Sequence, residues 1–265
     1  MKHGIVYYRP DEAARNVAFI KLLKLAAERA GMLLTLSMYP EDLSPDADFV
    51  IFRERNPKLA RELEHAGHRL FNRAKINQIA NDKFATFQLA TFMGVPAVPS
   101  RLVESPDELD SYPAVLKTVD GHGGVEVARV LDEMEAGWFF TRFMDRRIIG
   151  QPFIESGAAD VRLFMVGNEL AGAVKRTGSS GFKSNYTLGG RVDPHMPSAD
   201  MVRAAQRIAR ALKSDYIGVD FLLLPDGGFL LNEIEDPVGA RSLYETSDVD
   251  IADVLMQHIR MKLNE

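Results

Sequence analysis

The sequence contains no cysteine and only one tryptophan among its 265 residues. The lack of cysteine excludes disulfide bonds, thiolate-bound zinc and a cysteine nucleophile. No apolar run approaches the roughly 20 residues that a membrane span needs, so we expect no membrane partner. The first residues carry no long apolar segment of the kind found in signal peptides, and we therefore expect a cytoplasmic protein.

An excess of positive charge is also missing. The formal net charge is -5 at pH 7, which argues against a dedicated nucleic-acid-binding protein. With 46% hydrophobic and 26% charged residues, the composition is that of an ordinary globular protein with enough apolar residues for a sizeable core. Because this composition excludes classes of function without selecting one, the function has to be sought in the positions of the charged residues.

Three acidic residues stand in an otherwise apolar β-hairpin near the end of the chain. A glycine-rich turn separates apolar runs at 216–224 and 228–235, which predicts two antiparallel strands. Asp220 lies in the first strand, and Glu233 and Glu235 share one face of the second because strand side chains alternate. Buried carboxylates are costly unless a cation meets them, and hard oxygen ligands suit Mg²⁺ held together with phosphates. A solvated hairpin edge is the alternative for Glu233 and Glu235.

Strands and helices alternate through residues 1–80, which predicts a small α/β unit with parallel strands. Ligands of such sheets bind beyond the carboxyl ends of the strands. Arg53 and Arg55 follow the strand predicted over 47–52, so either could present a guanidinium group to an anionic substrate. A solvated turn with two exposed arginines is the alternative.

A lysine and a glycine-rich loop follow one another in the middle of the chain. Lys117 ends an apolar strand predicted over 112–117, and a loop containing Gly123 and Gly124 leads into a strand at 125–130. Glycines allow backbone N–H groups to approach phosphate oxygens closely. The spacing fits neither a Walker A loop nor a Rossmann fingerprint.

The remaining pattern mixes strands with helices and includes one long irregular loop. Strands are predicted over 147–154, 160–166 and 171–176, and helices over 13–30, 74–93 with a break near residue 81, 132–144, 198–213 and 249–263. The glycine-rich polar loop at 178–191 is long for a compact domain, and such loops are commonly functional. We expect it to close over a site as a lid.

The charged residues outside the apolar patterns form a candidate set for a magnesium–nucleotide site. Lysines neutralise phosphate charge, while carboxylates hold the metal ion. The cations of the set are Lys83, Lys117, Lys175, Arg176 and Lys183, and its carboxylates are Asp220, Glu233 and Glu235.

Several ordered motifs resemble those of ATP-grasp proteins, most closely the branch that contains the ribosomal-protein glutamate ligases. In chain order they are Asn81-Asp82-Lys83, Ala114-Val115-Leu116-Lys117, Gln151-Pro152-Phe153-Ile154, Asp160-Val161-Arg162, Lys183-Ser184-Asn185, Gly218-Val219-Asp220-Phe221 and Asn232-Glu233-Ile234-Glu235. The resemblance implies an α/β and α+β architecture, in which two α+β lobes enclose the nucleotide. The implied units are an N-terminal parallel α/β domain over 1–80, a small ATP-grasp lobe over 81–150 and a large lobe over 151–265.

The resemblance also implies a role for individual residues around the nucleotide. Lys117 and Lys83 would bind the phosphates of ATP, and Asp160 would meet the ribose. Further nucleotide contacts are implied for Gly123, Gly124, Gln151, Phe153, Ile154, Lys183, Ser184 and Asn185.

The implied metal and catalytic residues include two departures from the family pattern. Asp220 and Glu233 would bind Mg²⁺ or Mn²⁺, and Glu235 replaces the usual asparagine, which keeps an oxygen ligand and adds a negative charge. Lys175 or Arg176 would stabilise an acylphosphate. The proline–glycine pair that usually follows is altered here, and Arg241 beyond it is expected either to bind a substrate carboxylate or to serve as a surface or structural arginine.

The activity that the resemblance implies is an ATP- and Mg²⁺-dependent carboxylate–amine ligase, which forms an amide or peptide bond through an acylphosphate. A small-molecule kinase and a nucleotide-binding protein without turnover are the alternatives. The carboxylate and amine substrates, whether amino acid, peptide or protein tail, stay open, and the family leads us to expect a homodimer.

Overall fold

The N-terminal unit is a four-stranded parallel sheet with the strand order β2-β1-β3-β4, as the alternating pattern predicts. The computed structural model describes residues 1–178 and 190–265. The elements of this unit are β1 (Lys2–Tyr7), α1 (Pro10–Arg15), α2 (Val17–Arg29), β2 (Met32–Ser37), β3 (Phe49–Phe52), α3 (Pro57–His65) and β4 (Leu70–Phe71). The helix predicted over 13–30 is two helices that meet at Asn16. The side-chain amide of Asn16 donates to the Glu12 carbonyl at 2.8 Å, a local bond that competes with helix continuation.

Two helices and an antiparallel sheet form the second unit. The elements are α4 (Ala74–Ala80), α5 (Lys83–Phe92), β5 (Arg101–Val103), β6 (Ala114–Thr118), β7 (Val127–Val130), α6 (Glu133–Arg142) and β8 (Ile148–Pro152), with the strand order β5-β8-β6-β7. The break between α4 and α5 follows the prediction, because Asp82 caps α5 by accepting a hydrogen bond from the Ala85 amide at 2.8 Å. The proposed lobe boundary at residue 150 falls inside β8.

The third unit is a five-stranded antiparallel sheet with the order β11-β10-β9-β12-β13 among the described strands. Its elements are β9 (Ala159–Val166), β10 (Glu169–Thr177), β11 (Arg191–Pro194), α7 (Ala199–Leu212), β12 (Tyr216–Leu223), β13 (Phe229–Glu235), α8 (Arg241–Thr246) and α9 (Ile251–Asn264). The predicted hairpin is therefore β12–β13, whereas the short β5, β11 and α8 have no counterpart among the predicted elements.

The two faces of this five-stranded sheet differ in chemistry because strand side chains alternate. One face carries an apolar cluster: Val161, Leu163 and Val219 pack there together with the apolar side of α7. On the other face, Phe164 and Val174 join a core shared with the N-terminal unit and α9. Beyond them that same face turns polar and borders a cleft.

The N-terminal unit is fixed to the large lobe by this shared core. Leu23 of α2 and Met256 of α9 are both fully buried in one cluster that also includes side chains of the N-terminal sheet. A buried apolar interface of this kind stabilises the relative position of the two units through the hydrophobic effect. Within the described ranges, no helix combines the length and hydropathy that a bilayer crossing requires.

Candidate active site

All three units contribute walls to a cleft of about 1160 Å³. A volume of this size exceeds that of most small-molecule pockets, so it is large enough for a nucleotide together with a second substrate. We divide the lining residues by the unit that carries them. Those of the small and large lobes are called the nucleotide half, and those of the N-terminal unit and α8 are called the substrate half.

Strand register brings the three hairpin carboxylates together. Asp220 of β12 is the register partner of Glu233 of β13, and Gly218 is the partner of Glu235. One carboxylate oxygen from each of Asp220, Glu233 and Glu235 lies within 4.8 Å of the others. The register shifts between Asp220 and Phe221, and this β-bulge leaves Asn232 without a register partner.

Two buried arginines neutralise part of this carboxylate cluster. Arg162, opposite Asp220 on β9, donates to both Asp220 oxygens at 2.7 and 2.6 Å. Arg176 of β10 donates to Asp220 at 2.6 Å and to both Asp160 oxygens at 2.6 and 2.8 Å. Burial by itself raises the pKa of Asp220, but the two guanidinium groups outweigh it and hold that pKa below its usual value. Arg162 also pairs with Glu235 at 3.0 Å.

Glu233 differs from its two neighbours because no arginine meets it. Burial, followed by the negative charge of Glu235, raises the pKa of Glu233, and the lysines Lys83 and Lys117 oppose the shift only in part. In the part of the chain that the structure describes, Glu233 has no hydrogen-bond or ion-pair partner. Its carboxylate is therefore open to a bound cation.

The residues present fit a divalent metal ion. All three ligand candidates are carboxylates, and hard oxygen ligands are what Mg²⁺ and Mn²⁺ prefer. Glu233 offers a carboxylate without a partner, and Glu235 keeps the oxygen ligand that the usual asparagine would supply. Arginines engage both oxygens of Asp220 and both oxygens of Glu235, so Glu233 is the most accessible ligand of the three.

Two lysines enter the cleft from the small lobe. Lys117, at the end of β6, donates a hydrogen bond to the side-chain oxygen of Asn232 at 2.8 Å. This bond connects the small lobe to the bulged residue of the large lobe. Burial lowers the pKa of Lys117 to about 8, with Glu233 opposing the shift. Lys83 begins α5, and its ammonium group donates to the carbonyl of Gly121 in the glycine loop. Gly123 and Gly124 both have positive φ angles, 66° and 73°, which favour glycine.

Three of the implied nucleotide contacts also line the cleft: Gln151, Phe153 and Ile154 stand at and just after the end of β8. The amide of Gln151 donates to the Ser100 hydroxyl at 2.7 Å, which fixes its orientation. The guanidinium carbon of Arg129 lies 4.1 Å from the centre of the Phe153 ring. These contacts form a flat, partly apolar wall next to the lysines.

Other predicted residues divide between the cleft and the rest of the molecule. Asp160 and Arg176 line it, but they are paired with each other. Lys175 precedes Arg176 on the same strand, so its side chain points to the opposite face of the sheet, and it is not among the residues lining the cleft. Arg241 lines the substrate half. Lys183, Ser184 and Asn185 lie outside the described residues.

The structure also distinguishes the two arginines that follow β3. Arg53 is buried, donating to the Tyr8 hydroxyl at 3.0 Å and the Val238 carbonyl at 2.7 Å, so it connects units of the fold. Both arginines line the cleft, and it is Arg55 that reaches Glu235, at 3.4 Å. Asn232 is a site residue that the sequence analysis does not predict. Its polar side chain next to Glu233 in an otherwise apolar strand could have indicated it.

A cluster of amides, which we call the amide cluster, fixes the chain directly after Glu235. Asn72 and Asn77 donate to the two carboxylate oxygens of Asp236 at 2.9 and 3.0 Å, and Asn81 donates to its carbonyl at 2.7 Å. Burial raises the pKa of Asp236 to about 6, although the two amides oppose the shift. The segment over 72–81, which includes α4, thus holds the segment that carries the candidate metal ligands.

Comparison with known proteins identifies the family. Residues 80–259 match the RimK-like ATP-grasp domain. The chain belongs to this family. A probable alpha-L-glutamate ligase of Haemophilus influenzae (strain PittEE) is 29% identical over 235 residues, which cover 83% of this chain and 78% of the relative. The match confirms the family that the ordered motifs indicate.

Solved structures show the same fold over the whole RimK-like chain. D-cycloserine synthetase DcsG has a TM-score of 0.79 at 18% identity, with 98% of this chain and 99% of that chain covered. The ATP-grasp ligase PsnB, in complex with a phosphomimetic variant of its minimal precursor, Mg and ADP, has a TM-score of 0.72 at 14% identity and covers 100% of this chain and 99% of that chain. These likenesses include the N-terminal parallel sheet.

Proposed function

We propose that the chain is an ATP- and Mg²⁺-dependent carboxylate–amine ligase that works through an acylphosphate. The observation that carries the proposal is that lysines, a glycine loop and three carboxylates, which are far apart in sequence, line one cleft. Family membership supports the ligase class, and the relative named as a probable glutamate ligase supports an amino acid as the amine substrate.

The residues of the chain act by binding, charge neutralisation and exclusion of water. Lys117 and Lys83 attract the phosphates of ATP, and Glu233, Glu235 and Asp220 hold the metal ion. When bound, the ion neutralises charge that develops on the transferred phosphoryl group. Arg176, on the cleft face of the sheet, is positioned to steady negative charge on the acylphosphate through the Asp160–Arg176–Asp220 network.

The remaining assignments come from the resemblance to the family and are supported by the positions of these residues along the cleft. The adenine is bound by Gln151, Phe153 and Ile154, and the phosphates are approached by the backbone N–H groups of Gly123 and Gly124. Asp160 borders the ribose, and Arg176 holds the carboxylate of Asp160. Arg241 faces the second substrate. We keep Lys183, Ser184 and Asn185 as phosphate contacts, the lobes at 81–150 and 151–265, and a homodimer as parts of the proposal.

The first test is a titration of Mg·ATP by calorimetry into the parent protein and into Lys117→Met. Tight binding by the parent and at least tenfold weaker binding by the variant are expected, since a lysine beside phosphates contributes more than 1.4 kcal/mol. The matched control is Lys21→Met, which alters an exposed lysine of α2 outside the cleft. Equal binding by parent and Lys117→Met would contradict the phosphate role.

The second test is a product screen by mass spectrometry with Mg·ATP and mixtures of carboxylates and amino acids. A ligase yields ADP, phosphate and a product that has lost one water relative to its two substrates. A stable phosphorylated product without a new amide would replace the ligase by a kinase, and nucleotide binding with no turnover in any mixture would leave only a binding protein.

A further inference from the structure

Arg55 links the N-terminal unit to the carboxylate cluster. Its Nη2 atom lies 3.4 Å from Oε2 of Glu235, while Nη2 of Arg162 lies 3.0 Å from Oε1 of the same carboxylate. Glu235 is thus bound from two sides, by one arginine of the large lobe and one of the N-terminal unit. Glu235 carries a negative charge that an asparagine would lack, and Arg55 and Arg162 neutralise it.

The two arginines differ in how easily they can leave Glu235. Arg162 is buried and holds both oxygens of Asp220, so its displacement would leave buried charges without partners. The side chain of Arg55 is 35% exposed, and within the described residues Glu235 is its one hydrogen-bond or ion-pair partner. Exposed ion pairs of this kind contribute little, so Arg55 is the displaceable partner.

Glu235 also belongs to the group of three carboxylates whose oxygens lie within 4.8 Å of one another. A cation held by this group would take one oxygen of Glu235 as a ligand, and the two oxygens of that carboxylate already face Arg162 and Arg55. We propose that Arg55 and the divalent cation compete for Glu235, so that metal binding releases Arg55 into the substrate half of the cleft. This inference rests on the proposed function and adds a positioning residue to it.

The release changes the charge of the substrate half. Arg15 on that wall is already neutralised by Glu12 at 2.8 Å. Arg241 has no hydrogen-bond or ion-pair partner in the described part of the chain. Once Arg55 is released, its guanidinium group joins that of Arg241 in the substrate half, which favours an anionic substrate after the metal ion has bound.

The test measures Mn²⁺ affinity in the presence of ADP by electron paramagnetic resonance of free Mn²⁺. The proteins are the parent, Arg55→Gln, Glu235→Gln and the double variant. Arg55→Gln is expected to bind Mn²⁺ about two- to fivefold more tightly than the parent, because the competing pair is lost. In the Glu235→Gln background the same substitution is expected to have no effect, since there is no carboxylate to compete for.

Two further variants separate competition from a general effect of charge. Arg15→Gln removes an equal charge from the same wall and is expected to leave Mn²⁺ affinity unchanged. Arg55→Lys keeps the charge without the guanidinium fork, and its affinity is expected to lie between those of the parent and Arg55→Gln. Near-ultraviolet circular dichroism checks that each variant keeps its tertiary packing.

The outcomes distinguish this inference from the proposed function. An unchanged affinity in Arg55→Gln, or an equal increase in the Glu235→Gln background, would overturn the competition while leaving the metal–nucleotide site intact. Failure of the parent to bind Mn²⁺ with ADP would overturn both the competition and the proposed function.

Discussion

Two buried polar clusters lie on either side of Glu235, and they differ in charge. The charged cluster, formed by Asp160, Arg162, Arg176 and Asp220, is built from ion pairs on the cleft face of the large-lobe sheet. The amide cluster holds the single acid Asp236 with neutral side chains. The comparison shows two ways of burying an acid: guanidinium groups keep Asp220 ionised, whereas amides and burial leave Asp236 easier to protonate.

The largest expected effect comes from removing the charge at the centre of the charged cluster. Asp220→Asn leaves Arg162 and Arg176 short of one negative charge in a buried site, so we expect the free energy of unfolding to fall by about 3 to 5 kcal/mol. Urea unfolding measures the change. The control is Asp110→Asn, which breaks an exposed pair with Arg101 at 3.0 Å and should cost no more than about 1 kcal/mol. Similar losses in both variants would show that the charged cluster is not a buried ion-pair network.

The amide cluster should make the free energy of unfolding depend on pH. The pKa of Asp236 is about 6 in the folded protein, above the ordinary value of an unfolded aspartate, so the folded state binds this proton more tightly. The resulting stabilisation is complete below about pH 4 and is lost as pH rises to about 6, with a total near 3 kcal/mol for a shift of about two pKa units.

Comparison with Asp236→Asn isolates this group from the other acids. The stability of the parent relative to the variant should decrease as pH rises from 4 to 7, measured as urea midpoints at fixed ionic strength. A difference that stays constant over this range would show that Asp236 has an ordinary pKa.

Loss of one amide should cost less than loss of the central aspartate of the charged cluster. Asn77 donates to Asp236 at 3.0 Å and to the Glu54 carbonyl at 2.8 Å, and its side chain is fully buried. Asn77→Ala is expected to lower the free energy of unfolding by about 2 kcal/mol, because a buried acceptor loses its donor. Gln78→Ala, at the exposed neighbouring position, should stay within about 0.5 kcal/mol. A loss in Gln78→Ala as large as that in Asn77→Ala would argue against a specific role for the amide.

The smallest expected effect on stability comes from Gly218, which allows the chain to pack closely beside Glu235. A Cβ atom added at Gly218 would lie 2.8 Å from Val238 and 3.3 Å from both Arg162 and Glu235. Gly218→Ala is therefore expected to destabilise the protein by about 1 to 2 kcal/mol and to weaken Mn²⁺ binding. Gly137→Ala is the control, because no atom lies within 4 Å of that Cβ and alanine favours its helix, so the midpoint should rise. Equal midpoints for Gly218→Ala and the parent would contradict the close approach.

Local chemistry in the sequence was sufficient for most elements of the fold. Alternating strands and helices predicted the parallel N-terminal sheet, the polar residues near position 81 predicted the break before α5, and a glycine-rich turn predicted the β12–β13 hairpin. The short β5 and β11 escaped prediction because each has at most one buried residue, so neither carries the apolar run that marks the equally short β3. The break at Asn16 escaped because an asparagine inside an apolar helical pattern does not by itself end a helix.

The sequence by itself determined which residue types could serve a metal–nucleotide site, and period-two alternation placed Glu233 and Glu235 on one face. Only the tertiary structure decided which cations reach them. Arg176 faces the cleft while Lys175 does not, and Arg55 reaches Glu235 while Arg53 is buried in the fold. The physical reason is that alternation fixes relative faces within a strand, whereas the face that meets the cleft depends on how separate sheets pack.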